Sequence, residues 1–403
     1  MNTQSDKYKI AIIGLGYVGL PLLCHFSMKY QCYGLDFDKI RINQLLAGVD
    51  DKHCVNHNLL SFIKQVKLTC RWNDLYDCNI FIVCAPTPID YNKKPNLQSL
   101  KDICLQLGFI IKRGSIIVFE STVAPGTTED ICVPIIEKAS NLKLNDDFHV
   151  GFSPERINIG DIQHQLSNIP KIVSASSSYA LSAISRLYHI VLGCDIVQAS
   201  SIKVAEAAKL YENVQRDVLI ALANQYSNYC EAERIDINEV TQCASTKWNF
   251  AEIYPGLVGG HCIGVDTYYL ISKAREIGAN IELVQKAREI NESETEKTIS
   301  QILSQIHKLN INSVLLIGLT YKRDTTDLRN SQALEIARRI SKQINHVSVY
   351  DPNVSRDNLP IDIQHLYCND LPKDYVFDAV ITLVNHSSVS SPFGSMLNMN
   401  INK

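Results

Sequence analysis

The chain has 403 residues, is 46% hydrophobic and 20% charged, and carries a formal net charge of -3 at pH 7. That balance excludes a disordered or collagenous chain and argues against nucleic acid or an anionic membrane surface as the main partner. No apolar run approaches the ~18 residues that a membrane span needs, so no membrane insertion is expected. At roughly 100–200 residues per domain, the length implies two or three domains.

The N-terminal stretch "YKIAIIGLGYVGLPLLCHF" has a short apolar run, Ile10–Ile13, that ends in glycine rather than in a cleavage site. It reads as a buried parallel strand and not as a signal peptide. The 13 cysteines are scattered, odd in number and free of CxxC pairs, which fits reduced thiols and a cytoplasmic location. After the strand come Gly14, Gly16 and Gly19 as G-x-G-x-x-G, then a helical apolar pattern, then "CYGLD" ending in Asp36, 22 positions after Gly14. Gly14 permits the tight turn, Gly16 lets a pyrophosphate approach the backbone, and Gly19 lets helix and strand pack closely. With Tyr17 and Val18 between them, these residues form the expected phosphate cradle at a helix N-terminus. Asp36 is placed to bind ribose hydroxyls and to repel a 2′-phosphate, which selects NAD over NADP.

Further strands are expected in "NIFIVCAPTP" (79–88) and "GSIIVFESTVAPG" (114–126), with Thr87 and Thr122 just beyond their carboxyl ends. Ligands of open α/β sheets bind beyond those ends. Each threonine taken alone reads equally as part of an ordinary strand-end turn. Residues 201–234 contain no Pro or Gly and read as one long helix, with Ser200 or Ser201 as its cap. Such a helix is long enough to join two α/β domains and to pair with its copy in a homodimer. Lys209 and Asn213 are at i and i+4 on one of its faces, a spacing also common on solvent faces. Near the C-terminus, Ser313–Ile317, "HVSVYDPNV" with Asp351, and "FDAVITLV" (377–384) repeat the strand–helix alternation without G-x-G-x-x-G. A second parallel sheet is expected there, without a second dinucleotide. Its loop carries Lys322, Arg323, Asp327 and Arg329, which suits a phosphate-bearing ligand, a domain contact or a solvated surface.

The stretch "PGLVGGHCIGVDTYYL" (255–270) places four glycines around Cys262 and puts Asp266 four positions after it. Glycine destabilises ordinary elements by about 0.5–1 kcal/mol relative to alanine, so something is expected to approach this backbone closely. A helix starting near Gly260 would set Cys262 at its N-terminus, where a thiol becomes more acidic. Asp266 opposes that effect, and Lys209 is the candidate compensating cation. Zinc is not expected, because no second Cys or His falls at ligand spacing from "GHC". A nucleophile and an inert cysteine both fit the local pattern.

Six motifs taken in order carry a resemblance: "GLGYVGLPL", "FESTVAPGTT", "GFSPERINIGD", "EAAKLYENVQRDVLIALANQ", "PGLVGGHCIGVDTYYL" and "GLTYKRDTTDLRNS". Together they resemble the UDP-glucose/GDP-mannose dehydrogenase family from residue 8 to about 386. "SPERIN" and "GLVGGHCIGVD" look most like its UDP-N-acetylglucosamine and UDP-N-acetylgalactosamine 6-dehydrogenase branch, which serves bacterial capsule and O-antigen synthesis. The resemblance implies an α/β fold with two Rossmann-like parallel-sheet domains joined by a long central helix and a small helical domain. The expected divisions are an NAD-binding domain over 1–200, a central helical dimerisation and catalytic region over 201–300, and a nucleotide-sugar-binding domain over 301–403.

The resemblance also implies a two-step oxidation of the sugar C6 alcohol to a carboxylate, with NAD as cofactor and a UDP-sugar as substrate. Cys262 is then the nucleophile that tethers the aldehyde, and Asp266 the base. Lys209 and Asn213 stabilise the oxyanion, while Glu155 and Thr122 orient the hydrolytic water. Substrate contacts are expected from Glu155, Arg156, Ile157, Asn158, Lys209, Asn213, Tyr254, Gly256, Gly259 and Lys322. Arg329 is expected to support the cofactor along with Thr87 and Thr122.

Two departures stand out: Ile159 occupies the position of a second glutamate of the UDP-glucose branch, and His261 replaces a small residue common in that branch. Lys247 lies where a cation reaching a partner subunit's substrate is expected. The tail "SSVSSPFGSMLNMNINK" has little periodicity, so the last strand of the third domain is expected to be lost or altered, leaving a sheet edge. Alternatives are UDP-glucose or GDP-mannose as substrate, and a catalytically silent relative that still binds NAD and a sugar nucleotide.

Overall fold

The computed structural model describes residues 8–157, 166–371, 377–389 and 397–400, the last four as backbone only. Contacts divide the chain into two units: residues 1–212 with 268–277, and 213–267 with 278–403.

The first unit is built on eight strands: β1 (Lys9–Ile13), β2 (Gln31–Leu35), β3 (Lys67–Thr69), β4 (Ile80–Val83), β5 (Ser115–Phe119), β6 (Phe148–Phe152), β7 (Lys171–Ala175) and β8 (Ile196–Gln198). Their spatial order is β3-β2-β1-β4-β5-β6-β7-β8. The central strands are continuous apolar runs because both faces are covered. Ile10, Ile12, Ile80, Ile82, Ile116 and Val118 face one core, whereas Ala11, Ile13, Phe81, Val83, Ile117 and Phe119 face the other. This period-two division is the pleat of a doubly wound sheet. The helix Gly19–Ser27 lays Leu20, Leu22, Leu23 and Phe26 onto the first core, all fully buried.

The sheet departs from the all-parallel expectation at one place: β7 runs antiparallel to β6, while β8 runs parallel to β7. An antiparallel strand at the side of an otherwise parallel sheet needs no βαβ crossover. The long helix is Ile202–Glu233, and the Ser201 hydroxyl accepts the Val204 N–H at 3.2 Å, so Ser201 caps it.

The second unit carries a four-stranded parallel sheet of β9 (Ser313–Ile317), β10 (His346–Tyr350), β11 (Ala379–Thr382) and β12 (Leu397–Asn400), in the order β10-β9-β11-β12. Here too alternate residues split: Val314, Leu316 and Ile381 face one core, and Leu315, Ile317 and Val380 the other. The expected loss of the last strand is corrected, because Leu397–Asn400 pairs in parallel with Ala379–Thr382 and covers that edge. Its alternation, LNMN, is too short and too polar to stand out from the tail, and the pairing comes from the neighbouring strand. Helices Ile237–Ser245, Ile263–Ile277 and Glu282–Lys308 complete the central region. No described helix is long and apolar enough to cross a membrane.

Candidate active site

In the first unit, the turn after β1 has the geometry that the glycines predict. Gly14 has φ +90°, and a Cβ there would lie 2.7 Å from the Cys84 carbonyl oxygen. A Cβ on Gly19 would lie 1.8 Å from the Gly14 carbonyl oxygen, so only glycine lets the helix start so close to the strand. Gly16 differs: no protein atom comes within 4 Å of where its Cβ would be. The protein's own packing does not require glycine there, and the open backbone fits a pyrophosphate. Val18, at the N-cap, provides no side-chain acceptor; the Leu20 amide donates to the Gly16 carbonyl at 3.1 Å and Pro21 has no N–H, so a bound anion would be held by the turn that leads into the helix. Asp36 accepts the Leu15 N–H at 2.7 Å through one oxygen and the Asp38 N–H at 3.0 Å through the other. Its carboxylate is thereby fixed beside the turn. Asp36→Asn keeps an acceptor for the Leu15 amide but removes the charge. The ratio of NADP to NAD dissociation constants is expected to narrow by about tenfold, and titration of both nucleotides checks it.

The second sheet carries the same device with a different outcome. Asp351, at the end of β10, accepts the amides of Leu319 (2.6 Å) and Thr320 (3.2 Å), but it is buried and also lies 3.1 Å from His386 Nε2. His386 Nδ1 accepts the Asp324 N–H at 2.9 Å, so its proton is on Nε2 and points at Asp351. This acid is turned into the protein, where Asp36 is half-exposed.

The strand-end threonines of the first unit come together. The Thr87 hydroxyl donates to the Thr122 carbonyl at 2.7 Å, and the Tyr269 hydroxyl donates to the Thr87 carbonyl at 3.0 Å. Glu155 lies beyond β6. One of its oxygens accepts the Arg156 and Ile157 amides, both at 2.6 Å, while the other is buried with no hydrogen-bond partner among the described residues. A buried carboxylate oxygen in that state suits a water. Arg156 is occupied by the Pro170 carbonyl (2.8 Å) and Glu212 (2.8 Å). Asn158 and Ile159 lie outside the described residues.

Behind Glu155 is a cluster that the sequence reading missed. Lys171 Nζ lies 2.5 Å from Glu120 and 3.6 Å from Glu155, and it donates to the Pro154 carbonyl at 3.2 Å. Tyr188 donates its hydroxyl to the other Glu120 oxygen. Burial pushes the Glu120 carboxyl up to about 7, against the opposing pull of Lys171 and Tyr188. Only an acid inside the strand run "IIVFE" hinted at this. Lys209 is buried on the long helix.

In the second unit, Cys262 immediately precedes the helix Ile263–Ile277, and its carbonyl accepts the amides of Val265 (3.0 Å) and Asp266 (2.9 Å). It is thus the cap residue and is exposed. Asp266, one turn on, is buried, and its carboxylate accepts the Asn213 side-chain amide at 2.5 Å. The glycines before the cysteine divide by cause. A Cβ on Gly259 would lie 2.8 Å from the Asn330 carbonyl oxygen, and one on Gly260 (φ +78°) would lie 2.7 Å from the Tyr321 ring. The protein's own loop 321–330 demands those two glycines. Gly256 alone has open space around its missing Cβ, and that position retains the close-approach reading.

A second missed network holds this loop. Asn224 donates to the Gly256 carbonyl (3.0 Å) and accepts the Gly256 N–H (2.8 Å), an amide clamp on the backbone. It also donates to Asn291 at 3.0 Å. Asn291 and Arg288 donate to Asp217, at 2.7 and 2.8 Å, and Thr267 donates to its other oxygen at 2.9 Å. Asp217 is fully buried. Lys322 Nζ lies 5.6 Å from the Tyr321 ring centroid, and exposed Tyr254 donates its hydroxyl to Glu252. Arg329 grips the Asp327 carboxylate with its Nε at 2.9 and 3.2 Å and its Nη2 at 2.7 Å.

The chain matches three domains of one family: the NAD binding domain of the UDP-glucose/GDP-mannose dehydrogenase family over residues 8–192, its central domain over 203–293 and its UDP binding domain over 315–401. The UDP-N-acetyl-D-glucosamine 6-dehydrogenase of Pseudomonas aeruginosa is 42% identical over 386 residues, 94% of this chain and 90% of that protein. The enzyme of the same name from Salmonella typhi is 40% identical over 385 residues, with the same two coverages of 94% and 90%. Among solved structures, UDP-D-ManNAc dehydrogenase from Pyrococcus horikoshii matches with a TM-score of 0.86 at 28% identity, covering 98% of this chain and 99% of that one. This chain belongs to the UDP-glucose/GDP-mannose dehydrogenase family. With an NAD-binding and a UDP-binding domain, it is an NAD-dependent nucleotide-sugar dehydrogenase.

Proposed function

We propose that this protein oxidises the C6 alcohol of a UDP-N-acetylhexosamine to the carboxylate in two steps, through a covalent adduct on Cys262, and supplies a uronic acid for capsule or O-antigen polysaccharide. The observation that carries the reading is an exposed cysteine capping a helix, one turn before a buried aspartate that is hydrogen-bonded to Asn213. An exposed thiol adds little to packing, whereas a thiolate at a helix N-terminus is a competent nucleophile.

Bound NAD supplies the two-electron acceptor for each hydride. Asp266 takes the alcohol proton, directly or through water. The Cys262 thiolate adds to the aldehyde carbon, forming a C–S bond and an oxyanion. Lys209 and Asn213 offer that oxygen positive charge and a hydrogen bond, the kind of electrostatic help that dominates such steps. After the second oxidation the adduct is a thioester, and Glu155 with Thr122 orients the water that cleaves it. The product carboxylate leaves and the thiol is restored. Glu155's second oxygen, buried without a hydrogen bond among the described residues and 3.6 Å from Lys171 Nζ, supports its part. Open space at Gly256 supports the backbone approach of the substrate.

The names of the two bacterial relatives support an N-acetylated sugar. NADH formation with UDP-N-acetylglucosamine, UDP-N-acetylgalactosamine and UDP-glucose tests this. One of the N-acetylated sugars is expected to lead UDP-glucose in kcat/KM by at least about tenfold, with two NADH formed per sugar. A preference for UDP-glucose overturns the substrate class.

The protein is further proposed to act as a homodimer in the cytoplasm. Tyr211, Leu222, Tyr226 and Tyr229 are exposed on the long helix, an apolar surface suited to a second copy.

A further inference from the structure

Among the described strand pairs of the first sheet, only β6 and β7 are antiparallel, with Gly151 opposite Ala175 and Phe152 opposite Ser174. Continued past the paired residues, this register sets Lys171, the first residue of β7, opposite Glu155, which follows the end of β6. A parallel β7 would begin at the other end of the sheet and could not bring its first residue there. The Ser153 hydroxyl donates to the Ile172 carbonyl at 2.7 Å, so the two segments stay together beyond the last ladder pair.

The Lys171 ammonium has three protons to direct. It donates to Glu120 at 2.5 Å and to the carbonyl of Pro154, the residue before Glu155, at 3.2 Å. Glu155 Oε2 lies 3.6 Å from the same nitrogen. That is too long for a hydrogen bond, so the charge attracts the carboxylate without occupying the lone pairs of Oε2. Glu155 Oε1 is already held by the Arg156 and Ile157 amides, both at 2.6 Å. One carboxylate oxygen is therefore fixed, and the other stands beside a positive charge with no hydrogen bond among the described residues. Glu120 and Tyr188 brace the ammonium in turn: Tyr188 donates to the second Glu120 oxygen, and its ring centroid lies 5.5 Å from Lys171 Nζ. Lys171, Glu120 and Tyr188 are all buried. Burial pushes the neighbouring Cys84 thiol well above its ordinary range, so it stays neutral and does not compete for the ammonium.

We infer that Lys171 is a positioning residue for the hydrolytic step: braced by Glu120 and Tyr188, it holds the Glu155 carboxylate with one oxygen open to the water. This rests on the reading of Glu155 as a group that orients that water. In the step itself the water oxygen bonds to the thioester carbon and the C–S bond breaks. One water proton ends on the sulfur, and the other is released as the product acid ionises. Neither hydride transfer uses Glu155, so loss of the Lys171 charge slows hydrolysis and spares both oxidations.

The test follows the full-length protein after rapid mixing with NAD and UDP-N-acetylglucosamine or UDP-N-acetylgalactosamine, whichever it turns over. NADH is recorded, and the peptide containing Cys262 is quantified by mass spectrometry. The main variant is Glu120→Leu with Lys171→Met, in which apolar side chains replace the buried ion pair and the fold is expected to persist. A burst of about two NADH per site is expected at the native rate, with thioester accumulating on Cys262. Steady turnover after the burst is expected to slow about tenfold or more. Unfolded molecules give no burst, so the ratio of burst to steady rate reports folded protein alone. A second neutral pair, Glu120→Gln with Lys171→Gln, keeps hydrogen-bonding groups and is expected to behave alike. Lys171→Arg, which keeps the charge, is expected to hydrolyse faster than either. Hydrolysis at the native rate without accumulated adduct in the neutral pairs overturns the inference, as does a Lys171→Arg rate no faster than theirs. Glu155→Gln separates the two readings. Adduct in Glu155→Gln but not in the neutral pairs sinks this inference alone, whereas fast hydrolysis in Glu155→Gln removes Glu155 from the step and Lys171 with it.

Discussion

Replacing Cys262 by alanine is expected to abolish the second oxidation and to lower the rate of complete turnover by about 10⁴-fold or more, the scale seen when a nucleophile is removed. The first hydride transfer needs a base and an acceptor but no thiol. The variant should therefore release at most one NADH per sugar where the native protein gives two. NAD binding should be unchanged, because Gly14, Gly16, Gly19 and Asp36 are untouched. Stoichiometry from NADH absorbance against sugar consumed, together with an NAD titration, checks both parts. Two NADH per sugar from the alanine variant would remove the covalent route and leave Asp266 and its hydrogen bond to Asn213 as the centre of a different mechanism.

Replacing Lys171 by methionine is expected to cost about 3–5 kcal/mol of stability in the first unit, because it leaves Glu120 buried without its cation. Glu120 is 1% exposed and Lys171 4%, so water cannot take the place of the lost partner. The carboxyl is expected to retain a proton, and thermal unfolding should fall by several degrees or more. A double variant, Glu120→Leu with Lys171→Met, should recover most of the loss, since apolar side chains of similar size often replace a buried ion pair without penalty. Thermal and urea unfolding of the two variants measure the difference. Equal losses would mean that the side-chain volume of Lys171 matters rather than its charge. Lys171 also lies 3.6 Å from Glu155, so the single variant should impair the hydrolytic step in whatever fraction remains folded.

How much of this was legible in the sequence depended on range. The Gly14–Asp36 unit was readable because strand, turn, helix and acid fall within a few tens of residues, and each residue's role follows from local backbone geometry. The Ser201 cap and the place of Cys262 before a helix were readable for the same reason. The glycines around the cysteine were readable only in part. Their number signalled a close approach, but the approaching group at Gly259 and Gly260 is the protein's own Asn330 and Tyr321. The last strand was hidden because the alternation in LNMN is only four residues long and lies in a polar tail, and its pairing with Ala379–Thr382 supplies what the segment lacks.

The polar networks were not legible at all. Asp217 meets Arg288 and Asn291 across 71 and 74 positions, and Glu120 meets Lys171 across 51. Nothing near any of these residues in the chain names its partner.

The sequence by itself determined that the chain builds two alternating strand–helix sheets, that the first carries a G-x-G-x-x-G turn with an acid at the end of the next strand, and that one cysteine among 13 has a helix start and an aspartate arranged around it. Those features rest on periodicity and on the conformational freedom of glycine, which act over a few residues. Only the tertiary structure decided which carboxylates are buried and paired, and that Asp351 turns inward where Asp36 does not. It also decided that His261, next to Cys262 in the chain, faces Asp327. The charge and orientation of an ionisable side chain depend on what folding packs against it from distant parts of the chain.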